Sequence, residues 1–211
     1  MSLPKSLLLL LVVLLLPTLA RAELAFFDFE NEPAYAGMTS FTVASNGLQM
    51  TITRSSGITF DLDSPNVSPF GARSLSPFNG ENGAAVADTF QVELSQAVTY
   101  ISVDFGDFGG DADGLYLEAY VGSGLTGNYA ADQGSLAGGG SAFVYDQLAV
   151  SGNAFAPEFR SFYIRGGGND FPNSVYYDNF TFEFTPVPEP SSLSLSLVAV
   201  GWLLTRRRRR S

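Results

Sequence analysis

The chain has no cysteine and no histidine, a single tryptophan, and 11 basic residues against 21 acidic ones in 211. Without cysteine there is no disulfide, no thiolate nucleophile, no iron–sulfur or cysteine-rich zinc site and no N-terminal cysteine to carry a lipid. Without histidine there is no Ser-His-Asp or Cys-His pair. Most hydrolytic machinery is thereby excluded, and an enzyme built on this chain would have to work with carboxylates. The length fits one globular domain with short appendages, large enough to bury a core without covalent staples. Helical periodicity is scarce through the middle of the chain. No repeat of fixed period is present, which argues against a solenoid or propeller.

The two ends differ in kind from the middle. Lys5 is followed by an apolar run from Leu7 to Leu16, then Pro17 and the small-residue pattern Ala20-Arg21-Ala22. This three-part layout predicts a secretory signal peptide over residues 1–22, cut after Ala22. At the other end, Val187-Pro188-Glu189-Pro190 leads into an apolar stretch from Leu193 to Leu204 and then into Arg206, Arg207, Arg208, Arg209 and Arg210. The apolar stretch is shorter than the roughly 20 residues of a typical span, but flanking arginines that snorkel let a short transmembrane helix cross. Five arginines resist translocation and stay on the cytoplasmic side, which leaves everything before Pro188 outside. Both ends therefore predict the same topology.

This order of Pro-Glu-Pro, short hydrophobic helix and terminal arginine cluster over residues 187–211 resembles the PEP-CTERM sorting signal. The resemblance implies an exported protein of a Gram-negative bacterium that makes extracellular polysaccharide. It also implies a partner: the exosortase, a membrane-embedded, Cys-dependent transpeptidase that removes the tail. The protein would then be held transiently in the inner membrane before reaching the cell surface or extracellular matrix.

Between the ends, residues 23–186 read as one domain. All 21 acids lie from Glu23 to Glu189, in company with just Arg54, Arg73, Arg160 and Arg165. So anionic a surface repels phosphate backbones, which excludes a nucleic-acid partner, and it attracts divalent cations. Alternating apolar residues recur in short runs, among them Phe41/Val43, Leu48/Met50/Ile52, Phe90/Val92/Leu94, Ile101/Val103/Phe105, Phe159/Ser161/Tyr163 and Phe180/Phe182/Phe184. Clusters of Gly, Asn, Asp, Ser and Pro separate them. Eight to ten such strands predict an all-β antiparallel sandwich, with a jelly roll first and an immunoglobulin-like sandwich second. Gly122 to Gly140, interrupted by glycine, reads as a long loop with one short strand.

Period-two alternation places Asp178 on the same face as Phe180, Phe182 and Phe184, pointing into the core, where a carboxylate needs a cation or backbone amides. Calcium suits such a place because it accepts carboxylate and carbonyl oxygens from distant segments. The strand Asp28-Phe29-Glu30, the segment Asp104-Phe105-Gly106-Asp107-Phe108-Gly109 and the strand Tyr177-Asp178-Asn179-Phe180-Thr181-Phe182 together resemble galactose-binding-like carbohydrate-binding modules. That resemblance implies a jelly roll with a structural calcium held by Glu30 and Asp178, with Asp28 in reserve. The alternative is an Asp178 that accepts backbone N–H groups and a Glu30 facing water. A second acidic group, Asp104, Asp107, Asp111 and Asp113, does not make an EF-hand. With Asp113 and Gly114 at positions five and six, Gly109 falls at one and Tyr120 at twelve. A solvated loop is the expectation there.

Three functions follow from these readings. The first is a non-catalytic, exosortase-processed component of the cell envelope or of a biofilm matrix. The second is a lectin-like carbohydrate-binding domain with structural calcium, using Tyr35, Tyr116, Tyr120, Tyr129 or Tyr145 as stacking platforms for polysaccharide. The third, a carboxylate glycosidase, lacks any pair of acids marked by the sequence.

Overall fold

The computed structural model describes residues 21–33, 35, 37–54, 59–60, 62–63, 66–75, 89–138, 140, 142–167 and 175–186. The segments read as a signal peptide, apart from Arg21 and Ala22, and as a sorting signal lie outside these residues. Among the described residues no helix is long and apolar enough to cross a membrane.

Among the described residues eleven strands form, all paired antiparallel: β1 (Glu23–Phe27), β2 (Ser40–Ser45), β3 (Leu48–Arg54), β4 (Leu62–Asp63), β5 (Ser74–Leu75), β6 (Phe90–Asp107), β7 (Asp113–Gly122), β8 (Thr126–Leu136), β9 (Val144–Ser151), β10 (Phe159–Gly167) and β11 (Tyr176–Phe184). The expected all-β antiparallel architecture is what forms. Two details differ. The runs Phe90–Leu94 and Ile101–Phe105 are one 18-residue strand, β6. The glycine-broken segment after Gly122 contains the 11-residue strand β8 rather than a loop with a short strand.

The long strand organises the rest. Its first half, from Phe90, pairs with β3 on one side and β10 on the other; its second half, to Asp107, pairs with β11 and β9. One layer therefore runs β2-β3-β6-β10-β7-β8, and the other has β6 between β9 and β11, with β1 and β5 along β11. A strand that passes from one layer to the other is a known way of making the corner of a sandwich.

The inner faces meet through aromatic rings. Phe162 on β10 lies 6.3 Å from Phe180 and 5.8 Å from Phe182 on β11, and Phe90 contacts Tyr177 at 5.2 Å. None of these residues is appreciably exposed. At one edge, Asn46 and Gly47 join β2 to β3 with φ values of 48° and 82°. Positive φ at both positions is what a two-residue type I′ loop needs, and Asn-Gly tolerates it best. This places Phe41 and Val43, with Leu48, Met50 and Ile52, on the inner face. Thr42 with Thr51 and Ser40 with Thr53 form hydroxyl pairs at 2.8 and 2.9 Å on the outer one.

If these ring contacts hold the layers together, Phe162→Ala leaves a cavity between them. Urea denaturation should show a loss of about 3–5 kcal/mol. A loss below about 1 kcal/mol would place the main inter-layer contact elsewhere.

Candidate functional site

Two regions gather chemically capable side chains. The first grows out of irregularities in β1 and β11. Asn179 has φ of 51°, and the β11–β6 register passes from Asp178↔Asp104 to Thr181↔Ser102, so β11 carries an extra residue. A bulge of this kind reverses the parity of the strand. Tyr177 points inward, 5.2 Å from Phe105, and Phe180, Phe182 and Phe184 point inward beyond the bulge. Asp178 consequently sits on the opposite face from the phenylalanines, opposite Asp104, which corrects the expectation from simple alternation. It is buried all the same, 1% exposed, beneath neighbouring segments rather than within the core.

Those covering segments bring the other acids. Phe29, at φ 56°, turns its ring inward against Phe180 at 5.6 Å. On either side of it, Asp28 Oδ1 accepts the Glu30 N–H at 3.2 Å and Glu30 Oε1 accepts the Arg73 N–H at 3.2 Å. A Cβ at position 71 would run into Glu30 Oε1, so glycine there lets this carboxylate approach the backbone. Asn179 Nδ2 donates to Asp104 Oδ2 at 2.9 Å and to the Pro69 carbonyl at 3.3 Å, while Gln147 Nε2 donates to Asp104 Oδ1 at 2.8 Å. Asp178 Oδ1 accepts the Asn179 N–H at 2.8 Å. Its Oδ2 is buried with no hydrogen-bond partner.

Burial, followed by the fields of Asp28, Glu30 and Asp104, pushes the Asp178 carboxyl up to about 8, against the opposing pull of the Asn179 N–H. The structure thus brings Glu30, Asp28 and Asp178 into one electrostatic neighbourhood and adds Asp104, which the sequence had grouped with the acidic loop. Of the other members of that group, Asp107 and Asp113 are buried rather than solvated, Asp111 is half-buried, and Asp107 Oδ2 accepts the Gly109 N–H at 2.7 Å. Among the described residues no three His, Cys, Asp or Glu side chains close on a common point as a metal cage. The acids whose fields reach Asp178 offer hard oxygens, and a buried carboxylate oxygen without a hydrogen-bond partner is the kind of group calcium satisfies.

The second region is the outer face of the larger layer. On β7, Tyr116, Glu118 and Tyr120 alternate outward; their cross-strand partners are Arg165, Tyr163 and Ser161 on β10. Tyr120 is also opposite Tyr129 on β8. The rings of Tyr129 and Tyr120 lie 5.4 Å apart, those of Tyr120 and Tyr163 6.4 Å apart, with interplanar angles of 32° and 33°. Tyr129 is 57% exposed. The Tyr120 hydroxyl donates to Glu118 Oε2 at 2.7 Å, and the Tyr163 hydroxyl bonds to the same side chain. Burial and the Glu118 carboxylate raise both phenols, Tyr120 to about 12.

Of the five tyrosines named from the sequence, Tyr116, Tyr120 and Tyr129 are therefore brought together. Tyr35 is not. Its ring stacks on Phe41 at 4.0 Å, against the core. Tyr145 is exposed, but on β9 in the other layer. Tyr163 was missed because Phe159/Ser161/Tyr163 reads as one alternating face. A register shift between Phe159 and Ser161 instead turns Phe159, Phe162 and Ile164 inward and Tyr163 outward.

With divalent ions chelated, folding stability should fall as pH rises from about 4 to about 8. In that window the folded state keeps the Asp178 proton that the unfolded chain releases. Asp178→Asn should flatten the dependence, measured as the urea midpoint across the window. An unchanged slope would mean that Asp178 does not carry the proton.

No protein-family model matches this chain, and no curated protein matches it. Similarity to solved structures is low in sequence and partial in shape. The K2 cleaved adhesin domain of Lys-gingipain is 13% identical over 76% of this chain and 97% of its own, with a TM-score of 0.46. The C-terminal family 22 carbohydrate-binding module of Clostridium thermocellum Xyn10B is 15% identical over 76% and 92%, with a TM-score of 0.44. A family 11 carbohydrate-binding module from Clostridium thermocellum, solved with a β-1,3-1,4-mixed-linked tetrasaccharide, is 9% identical over 75% and 94%, with a TM-score of 0.36.

Proposed function

We propose that the body of this chain is a polysaccharide-binding domain of jelly-roll type on an exported, non-catalytic protein of the bacterial cell envelope or extracellular matrix. The observation that carries the reading is the row Tyr129–Tyr120–Tyr163, three rings at shallow mutual angles on an outer sheet face. Aromatic faces set side by side stack on the apolar faces of successive pyranose rings, and the phenol hydroxyls hydrogen-bond sugar hydroxyls. The neighbouring hydroxyls of Ser40, Thr42, Thr51 and Thr53 on the same layer suit the same kind of ligand. A glycosidase reading is less well supported. It needs a raised carboxyl that reaches the scissile bond, and Asp178, the carboxyl pushed up to about 8, is sealed from solvent.

In this reading a structural calcium would take the place of the Asp178 proton at Oδ2, with Glu30, Asp28 and Asp104 supplying the surrounding negative field. Added calcium should raise the melting temperature of the purified protein, and EDTA should reverse the rise. The effect should be larger at pH 8 than at pH 5, because the cation competes with the Asp178 proton. A melting temperature indifferent to both additions would remove calcium from the account.

The ends complete the proposal. A signal peptide ending at Ala22 exports the chain, a short transmembrane helix holds it in the inner membrane of a Gram-negative bacterium, and an exosortase cuts near Pro188-Glu189-Pro190. Mass spectrometry of protein recovered from the cell surface should find Glu23 at the N-terminus and no Arg206–Arg210; an intact arginine tail would refute the processing. For the body, Tyr120→Ala and Tyr129→Ala should each weaken retention on polysaccharide columns by on the order of tenfold with little change in melting temperature. Undiminished retention in both variants would displace the tyrosine row as the binding surface.

A further inference from the structure

Four arginines share the body with all of the acids but Glu189, and their settings differ. Arg54 is 3% exposed, lies over the Phe90 ring at 5.3 Å and donates to the Thr59 carbonyl at 3.0 Å, so it belongs to the core edge. Arg165 is exposed and lies over the Tyr116 ring at 4.6 Å, in the strand that supplies Tyr163. A guanidinium seated over a ring face is held there by the ring's quadrupole and still carries the N–H fork that matches a carboxylate. The adjacent Glu118 accepts hydrogen bonds from Tyr120 and Tyr163, so the hydroxyls of the row occupy the acid closest to the arginine in the β7–β10 register. The outer face thus presents three rings and, beside them, a cation seated on the Tyr116 ring.

We infer that this face takes polysaccharides that carry carboxylates, polymers of uronic acids, with Arg165 reading the charge while Tyr129, Tyr120 and Tyr163 stack on the rings. This rests on the sugar-binding reading above and adds the class of sugar. The acidity of the rest of the body does not oppose it at contact distance. The Debye length is about 8 Å at physiological ionic strength, so distant carboxylates slow the approach of an anionic chain more than they weaken a paired guanidinium.

The test uses the full chain in affinity electrophoresis through gels containing polygalacturonate or the same polymer methyl-esterified, at one fixed concentration of free calcium. Esterification removes the charge and keeps the sugar ring. The parent protein should bind the free acid at least tenfold more tightly than the ester. Arg165→Ala and Arg165→Gln should each erase that preference, leave the affinity for the ester unchanged and keep the parent's melting temperature, while Tyr120→Ala weakens binding to both polymers. Equal affinity of the parent for acid and ester would overturn the inference and leave sugar binding standing. So would Arg165 variants that keep the preference, or that lose acid and ester in the same proportion. Retardation by neither polymer would overturn both.

Discussion

The body depends on the backbone pairing of β6. Its 18 residues are hydrogen-bonded to β3 and β10 over the first half and to β11 and β9 over the second, so one strand belongs to both layers. Burial follows this division. The first half alternates between buried and exposed residues, whereas every residue from Ile101 to Asp107 is buried. A segment buried on both faces can carry polar side chains only if each is satisfied where it lies. Ser102, Asp104 and Asp107 are such residues, and Asp104 and Asp107 are held by Gln147, Asn179 and the Gly109 N–H. The carboxylate group around Asp178 is thus a consequence of how β6 is covered, and it lies where the first, last and longest strands meet.

Two faces of the body handle charge in opposite ways. Around Asp178, acids are crowded and withdrawn from water, so the cheapest state of the group without a cation keeps a proton on Asp178. On the tyrosine face, Glu118 is shared between two phenols and Arg165 rests on a ring, so each charge is in contact with an uncharged neighbour. The two arrangements occupy different layers.

How much of this was legible in the sequence depended on the regularity of the strands. Period-two alternation is faithful where the ladder is regular: Phe41/Val43 and Leu48/Met50/Ile52 face the core as read. It misleads by one residue wherever a bulge intervenes. Asn179 in β11 moved Asp178 off the phenylalanine face, and the shift near Ser161 in β10 moved Tyr163 out to the surface. Asn at a positive φ is a known local signal, yet nothing in an isolated strand says which Asn will take it. Asp104 was misassigned for a different reason. It is near Asp107 in the chain, but pairing with β11 sets it opposite Asp178. β8 was hidden by its composition, since Gly127 and Gly134 lower strand propensity and only pairing with β7 secures it.

The antiparallel pairing of β1 with β11 sets Glu23 beside Phe184, so the two chain ends leave the body side by side. Pulling those ends apart would peel the ladder one bond after another, which takes little force. Tension along the axis of β11 would instead load the ladders to β1 and β6 together in shear. The same hydrogen bonds make the body yielding along one line of tension and stiff along the other.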